Sequence, residues 1–411
     1  MLAIKIAWRN IWRYKKRTLI TILLSALCTM FLIWFEALND GSHAKMIRDV
    51  VEMYPGYIQI QEKRYFENPS YDHLLFDTKQ IKKRLNHIKA IDTISQRFEA
   101  PALFSSDQVS YGGILIGINP SNEARISRIK QALVAGRYLT DQDTNAVYIG
   151  KDLAKKLQLS IGDECVFLSA AIDRSIAADT LVVVGLFESN LFDSDIQFVF
   201  VNKSFLDPLF LVEDKASYIV VKPSDKDQTF LLQDKLNHQL RDTPFHVLTW
   251  RELLASFVKF VEMDKAMSRV GVVIVVLVVF FVIMIFKFMS IYHRTKEVGL
   301  MRAMGVSDSR IIGMFYFESI MMVLLSLLMG GIGGAWLAIY FEVNPLELTF
   351  SQDVLEMYQQ FGMLDFTIPT KFSVKALIFG VSIVFMINMM ALIIPIWKVL
   401  KVKPRAALQG K

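Results

Sequence analysis

Glu297-Val-Gly-Leu-Met-Arg-Ala-Met-Gly305 lies between two long apolar runs, Val270–Ile291 and Ile311–Phe341. A short basic segment held between two runs of membrane-spanning length cannot be part of a soluble core. It must lie at a membrane surface, where a protein in the cytoplasm can push or pull on it. The segment therefore predicts a membrane protein that receives force from a partner.

Four apolar runs explain why 53% of the residues are hydrophobic and why the mean hydropathy is +0.36. They are Thr18–Leu38, Val270–Ile291, Ile311–Phe341 and roughly Phe372–Leu400. Each contains the ~20 residues that cross ~30 Å of hydrocarbon. Residues 270–286 carry neither a charge nor a polar face, which argues against buried helices of a soluble protein. We therefore predict transmembrane segments at 18–38, 268–291, 311–341 and 372–400.

Basic residues flank these runs unevenly, and their positions predict the orientation. They precede the first run, separate the second from the third and follow the fourth: Lys5, Arg9, Arg13, Lys15, Lys16, Arg17, Arg294, Lys296, Arg302, Arg310, Lys398, Lys401, Lys403, Arg405 and Lys411. The loop at 342–371 is acidic instead. We predict cytoplasmic termini and a cytoplasmic loop at 292–310, with residues 39–267 and 342–371 outside. The net charge of +6 then reflects topology and not nucleic-acid binding.

The ends of the chain are predicted to stay at the cytoplasmic face. Residues 1–17 are typical of an amphipathic interfacial helix, with cations on one face and tryptophans on another, and residues 401–411 form a short tail. The first apolar run is predicted to be a retained anchor, because no small-x-small cleavage site follows it. Cys28 in that anchor and Cys165 outside would lie in different compartments, so we predict no disulfide.

The segment at 39–267 is predicted to fold as a mixed α+β domain. A strand at 56–61, a helix at 79–91 and a strand at 93–98 are followed much later by the same order at 217–221, 229–239 and 245–249. Both helices contain Leu-Asn-His. We interpret 46–100 and 211–250 as two halves of one porter-like strand–helix–strand subdomain, with chance similarity as the alternative. Residues 101–210 are richer in strands and are predicted to form a β-rich insert.

The chain carries no motif for chemistry of its own. Gly-x-x-x-x-Gly-Lys-Ser/Thr and Gly-x-Ser-x-Gly are both absent, and the six histidines lack metal-ligand spacing. We predict no catalytic residue, no cofactor, no metal and no enzyme activity in this chain alone. Polar groups in the apolar runs are too few for an ion path. We expect Lys287 and Glu318 to reach the cytoplasmic face and Asn388 to join helices.

Gly330-Gly-Ile-Gly-Gly334 has the small-residue spacing that lets membrane helices approach closely. We predict helix packing through Gly330 and Gly334. This face, together with the first span, is also our candidate for the seam between two subunits.

Together these features resemble the MacB/FtsX/LolC–LolE superfamily of ABC permeases. Glu297, Gly299, Arg302, Ala303 and Gly305 match the family segment Glu-Ile/Val-Gly-x-x-Arg-Ala-x-Gly. The start at 7–18 and the end at 395–408 resemble the family's opening and closing segments. Five short pieces resemble the lipoprotein-releasing branch in its own order: Ile116–Pro120, Gly136–Leu139, Ile149–Ala154, Ile161–Asp163 and Val184–Phe187.

The resemblance implies that the loop at 292–310 is a coupling helix that docks on a cytoplasmic ATPase. We then expect Glu297 to meet donors of the ATPase, and Gly299 and Ala303 to form a small-residue face that enters a groove. Arg302 would reach the partner or a lipid phosphate, and Lys296 would lie on the solvated side. The implied partners are two ATPase subunits, a second permease subunit that is identical or homologous, membrane lipid, a lipoprotein cargo and a periplasmic acceptor protein.

We therefore predict an α+β integral membrane protein of the bacterial inner membrane, with four transmembrane helices and a large extracytoplasmic α+β domain between the first and second. Its predicted function is to convert ATP binding and hydrolysis in a separate subunit into movement of that domain, in order to extract lipoproteins. The alternatives are MacB-like export of small molecules or peptides and FtsX-like mechanotransmission to a periplasmic enzyme. A sensor would need a cytoplasmic output domain, for which no segment is long enough.

Overall fold

The structure is a computed structural model that describes residues 15–189, 194–347 and 367–401. Its helices are α1 (Lys15–Met53), α2 (Thr78–Asn86), α3 (Pro120–Ile126), α4 (Lys151–Leu157), α5 (Ser194–Gln197), α6 (Lys203–Phe210), α7 (Thr229–Gln239), α8 (Trp250–Leu253), α9 (Ala255–Tyr292), α10 (Thr295–Ala303), α11 (Asp308–Val343), α12 (Val374–Met390) and α13 (Ile393–Lys401). Its strands are β1 (Ile58–Glu62), β2 (Ile91–Ser105), β3 (Ser110–Ile118), β4 (Leu133–Gly136), β5 (Ala146–Gly150), β6 (Glu164–Ala170), β7 (Ile176–Phe187), β8 (Phe198–Asn202), β9 (Tyr218–Pro223), β10 (Phe245–Thr249), β11 (Leu346–Glu347) and β12 (Thr367–Ile368). Residues 1–14 of the predicted interfacial helix and 402–411 of the predicted tail lie outside the described residues.

The four apolar runs form helices long and apolar enough to cross a membrane. The helices α1 and α9 extend well beyond the predicted spans at 18–38 and 268–291. A change from apolar to polar residues does not by itself end a helix. The extensions at 39–53 and 255–267 contain no proline, which would have ended it. The fourth run is divided into α12 and α13, because Pro395 has no N–H to continue the backbone ladder.

Glycines bring α11 and α12 against α1. An added Cβ on Gly330 would lie 2.4 Å from the carbonyl oxygen of Ala26, and one on Gly334 would lie 2.9 Å from Cβ of Ile33. On the other side of Ile33, a Cβ on Gly380 would lie 2.6 Å from its Cγ1. Gly330 and Gly334 thus form a packing face, but within one chain. The idea that this face is the seam between two subunits is wrong, because α1 of the same chain already occupies it.

The large domain, residues 46–260, is a separate compact unit. Part of it is an antiparallel sheet in the order β10-β1-β9-β2, so the first strand of each predicted half lies in the centre beside the other. This is a split β-α-β arrangement, in which α2 and α7 are the two helices. Leu85 and Leu236, which begin the repeated Leu-Asn-His tripeptides, are buried in the same core. The two halves therefore fold as one subdomain.

Six strands of the large domain close into a barrel in the order β2-β3-β8-β5-β7-β6, because β6 pairs with both β7 and β2. Phe98, Phe104 and Phe167 fill its interior, and Leu153 of α4 and Phe210 of α6 belong to the same core. Closure leaves few unpaired strand edges, which favours a stable, soluble insert.

The predicted boundary at 100/101 is not a break in the chain's structure. Strand β2 runs without interruption from Ile91 to Ser105, pairing first with β9 of the four-stranded sheet and then with β3 of the barrel. The two subdomains therefore share one strand. The boundary was predicted there because residues 101–210 are richer in strands, but Pro101 pairs with Ile114 inside a continuous ladder.

A buried ion pair lies where the two subdomains meet. Arg97 of β2 donates from Nε and Nη2 to the carboxylate of Glu123 of α3, at 3.1 and 2.6 Å, and both side chains are fully buried. Its Nη1 donates to the carbonyl oxygen of Tyr54 at 2.6 Å. All three guanidinium nitrogens are thus paired, which is the condition under which a buried charge is tolerated.

Candidate coupling surface

Helix α10 packs on the membrane bundle through one side only. Val298 is buried together with Ile311 of α11 and with Ile396 and Val399 of α13. Gly299 is buried beside it. The segment Glu297–Gly305 is therefore packed against α11 and α13 and is not a loose loop.

The opposite side of α10, formed by Lys296, Leu300, Ala303 and Met304, is exposed and is called here the outward face. Leu300 is 52% exposed and Met304 is 68% exposed, so the outward face includes two large apolar side chains that are open to contact. The expected small-residue face of Gly299 and Ala303 is wrong, because Gly299 is buried and Ala303 is exposed. Sequence reasoning missed Leu300 and Met304, although their positions four and eight residues after Lys296 place all three on one helix face.

Glu297 lies in the first turn of α10, where a carboxylate complements the positive end of the helix dipole. It accepts a hydrogen bond from Nε of Arg294 at 3.0 Å. Arg294 also donates from Nη1 to Glu318 of α11 at 2.7 Å, and only 4% of its side chain is exposed. Arg294 therefore joins the coupling segment to α11. The sequence analysis did not predict this role, because it treated Arg294 only as one of the basic residues that flank the apolar runs.

Lys287 was expected to extend to the membrane surface, and that expectation is wrong. Its side chain is 3% exposed and donates to the hydroxyl of Ser319 at 2.5 Å. Glu318 is likewise buried, at 5% exposure, against Arg294. Both groups have partners on a neighbouring segment, so neither needs water. Asn388 has the expected role, since it is buried and accepts a hydrogen bond from Ser25 of α1 at 3.4 Å.

Arg302 holds the far end of α10. Its Nη1 donates to the carbonyl oxygen of Leu400 at 2.7 Å, in the last turn of α13, where unpaired carbonyls prefer a cation. Its Nε lies 3.0 Å from the carboxylate of Asp308 at the start of α11. Both contacts lie within the chain and join α10 to α13 and to the start of α11. The expected contact of Arg302 with a partner or a lipid phosphate stays a prediction.

Gly305 ends the helix. Its φ is +83°, a conformation that favours glycine, and its N–H donates to the carbonyl of Arg302 at 3.0 Å. The N–H of Val306 donates to the carbonyl of Met301 at 3.0 Å, which completes a Schellman motif. Gly305 therefore acts by stopping α10 and turning the chain into α11.

Two protein families match this chain. Residues 18–239 match the family described as "MacB-like periplasmic core domain", and residues 269–404 match "FtsX-like permease C-terminal". The first match covers the first apolar run and most of the large domain, and the second covers residues 292–310 with the three apolar runs around them. With the described helices and strands, they confirm the predicted fold class.

Two relatives extend the comparison to whole proteins. An uncharacterised ABC transporter permease, MJ1507 of Methanocaldococcus jannaschii, is 25% identical over 356 residues, which cover 82% of this chain and 83% of the relative. The lipoprotein-releasing system transmembrane protein LolC of Haemophilus influenzae is 21% identical over 267 residues, which cover 64% of this chain and 63% of LolC.

Solved structures also align with part of the chain. The periplasmic region of MacB from Actinobacillus actinomycetemcomitans aligns with a TM-score of 0.38 at 15% identity, covering 50% of this chain and 94% of that structure. The extracellular domain of the ABC-type transporter YknZ aligns with a TM-score of 0.35 at 17% identity, covering 47% of this chain and 99% of that structure.

Proposed function

This chain belongs to the MacB/FtsX/LolC superfamily of ABC transporter permeases, and we propose that it passes movement from an ATPase to its large domain in order to extract lipoproteins from the membrane. The family implies a cytoplasmic ATPase partner, a dimeric arrangement and a multi-pass inner-membrane location. Permeases of this family lack an ATPase site of their own. The proposal therefore concerns how this chain receives force and what that force does.

The observation that carries the proposal is that α10 is attached to two helices on its inward side and is exposed on its outward face. Its inward side is held to α11 through Arg294 and to α13 through Arg302, while its outward face presents Leu300 and Met304 with no cover from the described residues of its own unit. A displacement of the outward face would thus be transmitted into two helices of the bundle. We place this face and both chain termini in the cytoplasm, on the basis of the flanking cations.

The lipoprotein cargo is supported more weakly than the force transmission. It is favoured by the likeness to LolC and by the five sequence pieces that resemble the lipoprotein-releasing branch. MacB-like export or transmission to a periplasmic enzyme would use the same coupling surface. The cargo must therefore be tested separately from the coupling.

Coupling is tested by charging the outward face. We expect Leu300→Glu and Met304→Glu each to lower the ATP turnover of the purified permease–ATPase complex at least tenfold, since an apolar interface anchor commonly contributes ~2 kcal/mol or more. Arg310→Gln is the control, because it removes an exposed cation of α11 that is not part of the outward face, and it should have little effect. Membrane insertion should be normal in all three variants. Wild-type turnover in both glutamate variants would refute the docking face.

Cargo is tested in vesicles that contain the complex and a labelled lipoprotein. We expect ATP-dependent release of the lipoprotein to a soluble acceptor, and loss of release in Leu300→Glu. Mass spectrometry of molecules that co-purify with the native complex gives an independent answer. Normal ATP coupling without lipoprotein release would reject extraction and leave export or mechanotransmission.

A further inference from the structure

The large domain also has a feature that the proposed function does not use. It is a cleft of about 440 Å³ between the last turns of α1, the segment that follows α3, and the end of β9. Five cationic side chains line it, and only two carboxylates do: Arg48, Arg125, Arg128, Lys222 and Lys226 against Asp49 and Glu52. We call it the basic cleft.

Each carboxylate of the basic cleft already has its own cation. Asp49 is 3% exposed and accepts from Nη1 of Arg128 at 2.7 Å. Glu52 is paired with Lys226 and also accepts from the hydroxyl of Tyr57 at 2.8 Å. These two pairs cancel, so five cations less two carboxylates leave a surplus of three positive charges.

The surplus cations are Arg48, Arg125 and Lys222. Nε of Arg48 is 3.9 Å from Asp49, whose carboxylate is held more closely by Arg128, and 48% of the Arg48 side chain is exposed. Lys222 donates from Nζ to the backbone carbonyl of Arg125 at 2.6 Å, a partner that carries no charge. Arg125 pairs with Asp92 at 3.3 Å, and both side chains of this pair are exposed to water, where ion pairs are weak.

We propose that the basic cleft binds a phosphate group. A concave surface lined by one sign of charge concentrates counter-ions, and its low-dielectric walls strengthen their binding. The planar fork of an arginine matches two oxygens of a phosphate, and a lysine adds a point charge. The cleft is large enough for a phosphate ester, so its natural ligand is either a soluble phosphate compound or a phospholipid headgroup.

The test uses the full chain in neutral detergent, without the ATPase, so its outcome does not depend on the proposed transport function. Isothermal titration calorimetry with pyrophosphate is one arm, and dihexanoyl phosphatidic acid below its micelle concentration is the other. We expect saturable binding in at least one arm and weaker binding as salt is raised. Tighter binding of the short-chain lipid assigns the headgroup, and tighter binding of pyrophosphate assigns a soluble ligand.

Matched variants make the test specific to the cleft. We expect Arg48→Gln and Lys222→Gln each to weaken binding about tenfold, by loss of one charge-assisted contact. Arg48→Lys keeps the charge and should retain most of the affinity. Lys235→Gln removes an exposed charge from α7, away from the cleft lining, and should change nothing. Absence of saturable binding in both arms, or equal affinity for Arg48→Gln, Lys222→Gln and Lys235→Gln, would overturn the proposal.

Discussion

Two buried arginine–glutamate pairs, one in the large domain and one in the membrane bundle, are built for different tasks. Arg97 gives two nitrogens to a single carboxylate, that of Glu123, and its third to a backbone carbonyl. Arg294 divides its guanidinium between Glu318 of α11 and Glu297 of α10. We call Arg97–Glu123 the closed pair, because the arginine binds a single carboxylate. We call the contacts of Arg294 the shared pair, because this arginine binds two carboxylates on different helices, and the side chain of Glu297 is 37% exposed.

The comparison teaches that burial alone does not define what an ion pair does. Burial by itself would lower the pKa of the Arg97 guanidinium, but the Glu123 carboxylate beside it holds that pKa well above its ordinary value. This pair therefore stays charged and fixed, and it stabilises the junction of the sheet and the barrel. The shared pair at Arg294 instead keeps α10 and α11 together while leaving one of its carboxylates accessible.

The largest effect, on the free energy of unfolding, is expected when the Arg97–Glu123 pair is broken. A fragment spanning residues 40–264 should unfold cooperatively, because residues 46–260 form a compact unit with their own core clusters. Glu123→Leu should lower its free energy of unfolding by about 3–5 kcal/mol, since it leaves a buried guanidinium unpaired. Urea unfolding followed by circular dichroism measures this change.

The double variant is the control for that experiment. Replacing both partners, with Arg97→Met and Glu123→Leu together, should recover much of the loss, because two apolar groups leave no buried charge. If the double variant were as unstable as Glu123→Leu alone, the loss would come from packing. The contrast between the closed and the shared pair would then have no electrostatic basis.

A smaller effect on stability, but a direct effect on coupling, is expected from the shared pair. Glu318→Gln removes the charge that holds Arg294 to α11, and Arg294 can then turn entirely to Glu297. We expect coupled ATP turnover of the complex to fall about tenfold, which corresponds to ~1.4 kcal/mol. Thermal unfolding of the full chain should change little.

Asn388→Leu is the matched control within the bundle. It removes a buried polar contact with Ser25 of α1, and the other hydrogen bond of Asn388 is to the carbonyl of Val384 in its own helix and not to α10. Interhelical hydrogen bonds of this kind contribute ~0.6 kcal/mol on average, so turnover should be nearly unchanged. Equal losses in Glu318→Gln and Asn388→Leu would indicate general disturbance of the bundle.

The smallest effect is expected from an exposed pair of the large domain, Arg137 and Asp143. Both contacts between their side chains are 2.8 Å, yet 51% of the Arg137 side chain is exposed. Hydrogen bonds from Arg137, opposed by partial burial and aided by the N–H of Thr140, lower the pKa of Asp143 to about 2. Asp143→Asn should therefore cost only about 1 kcal/mol at neutral pH once solvent screening is allowed for.

The pH dependence of that loss has a definite sign. The folded-state pKa of Asp143 is lowered, so its contribution is complete above the unfolded value of ~3.9 and declines as the pH falls toward the folded value of about 2. The difference in unfolding free energy between wild type and Asp143→Asn should shrink over that range. Asp234→Asn, at an exposed position of α7, should show no such dependence.

The sequence predicted what depends on local pattern. The helix at 229–239 and the strand at 245–249 have the predicted bounds, because period and turn residues are encoded within each segment. The interleaving of the two halves and the closure of the barrel by β6 were not predicted, since strand pairing joins residues far apart in the chain. Continuity of β2 through Pro101 was missed for the same reason.

In the coupling surface, the sequence located the segment but not its orientation. Residue types in Glu297–Gly305 identify a short basic helix, yet which side it buries depends on what α11 and α13 present to it. Gly299 was assigned outward for that reason, and Lys287 was assigned to the surface because its partner Ser319 lies on another helix. The burial of Gly299 and the contact of Lys287 with Ser319 both depend on residues of other helices, so the local sequence does not predict them.

The interruption between α12 and α13 divides the fourth apolar run into two rigid helices joined by a short hinge. Helix α12 is fixed at Gly380 against α1, whereas α13 is held at its far end by the grip of Arg302 on Leu400. The nine residues of α13 make a rigid arm about 14 Å long, so a sideways shift of ~1 Å at Leu400 rotates it by about 4° around the joint. Under the proposed function, a small displacement of α10 would therefore become a rotation of α13, while α12 and α1, which pack closely at Gly380, could stay in place.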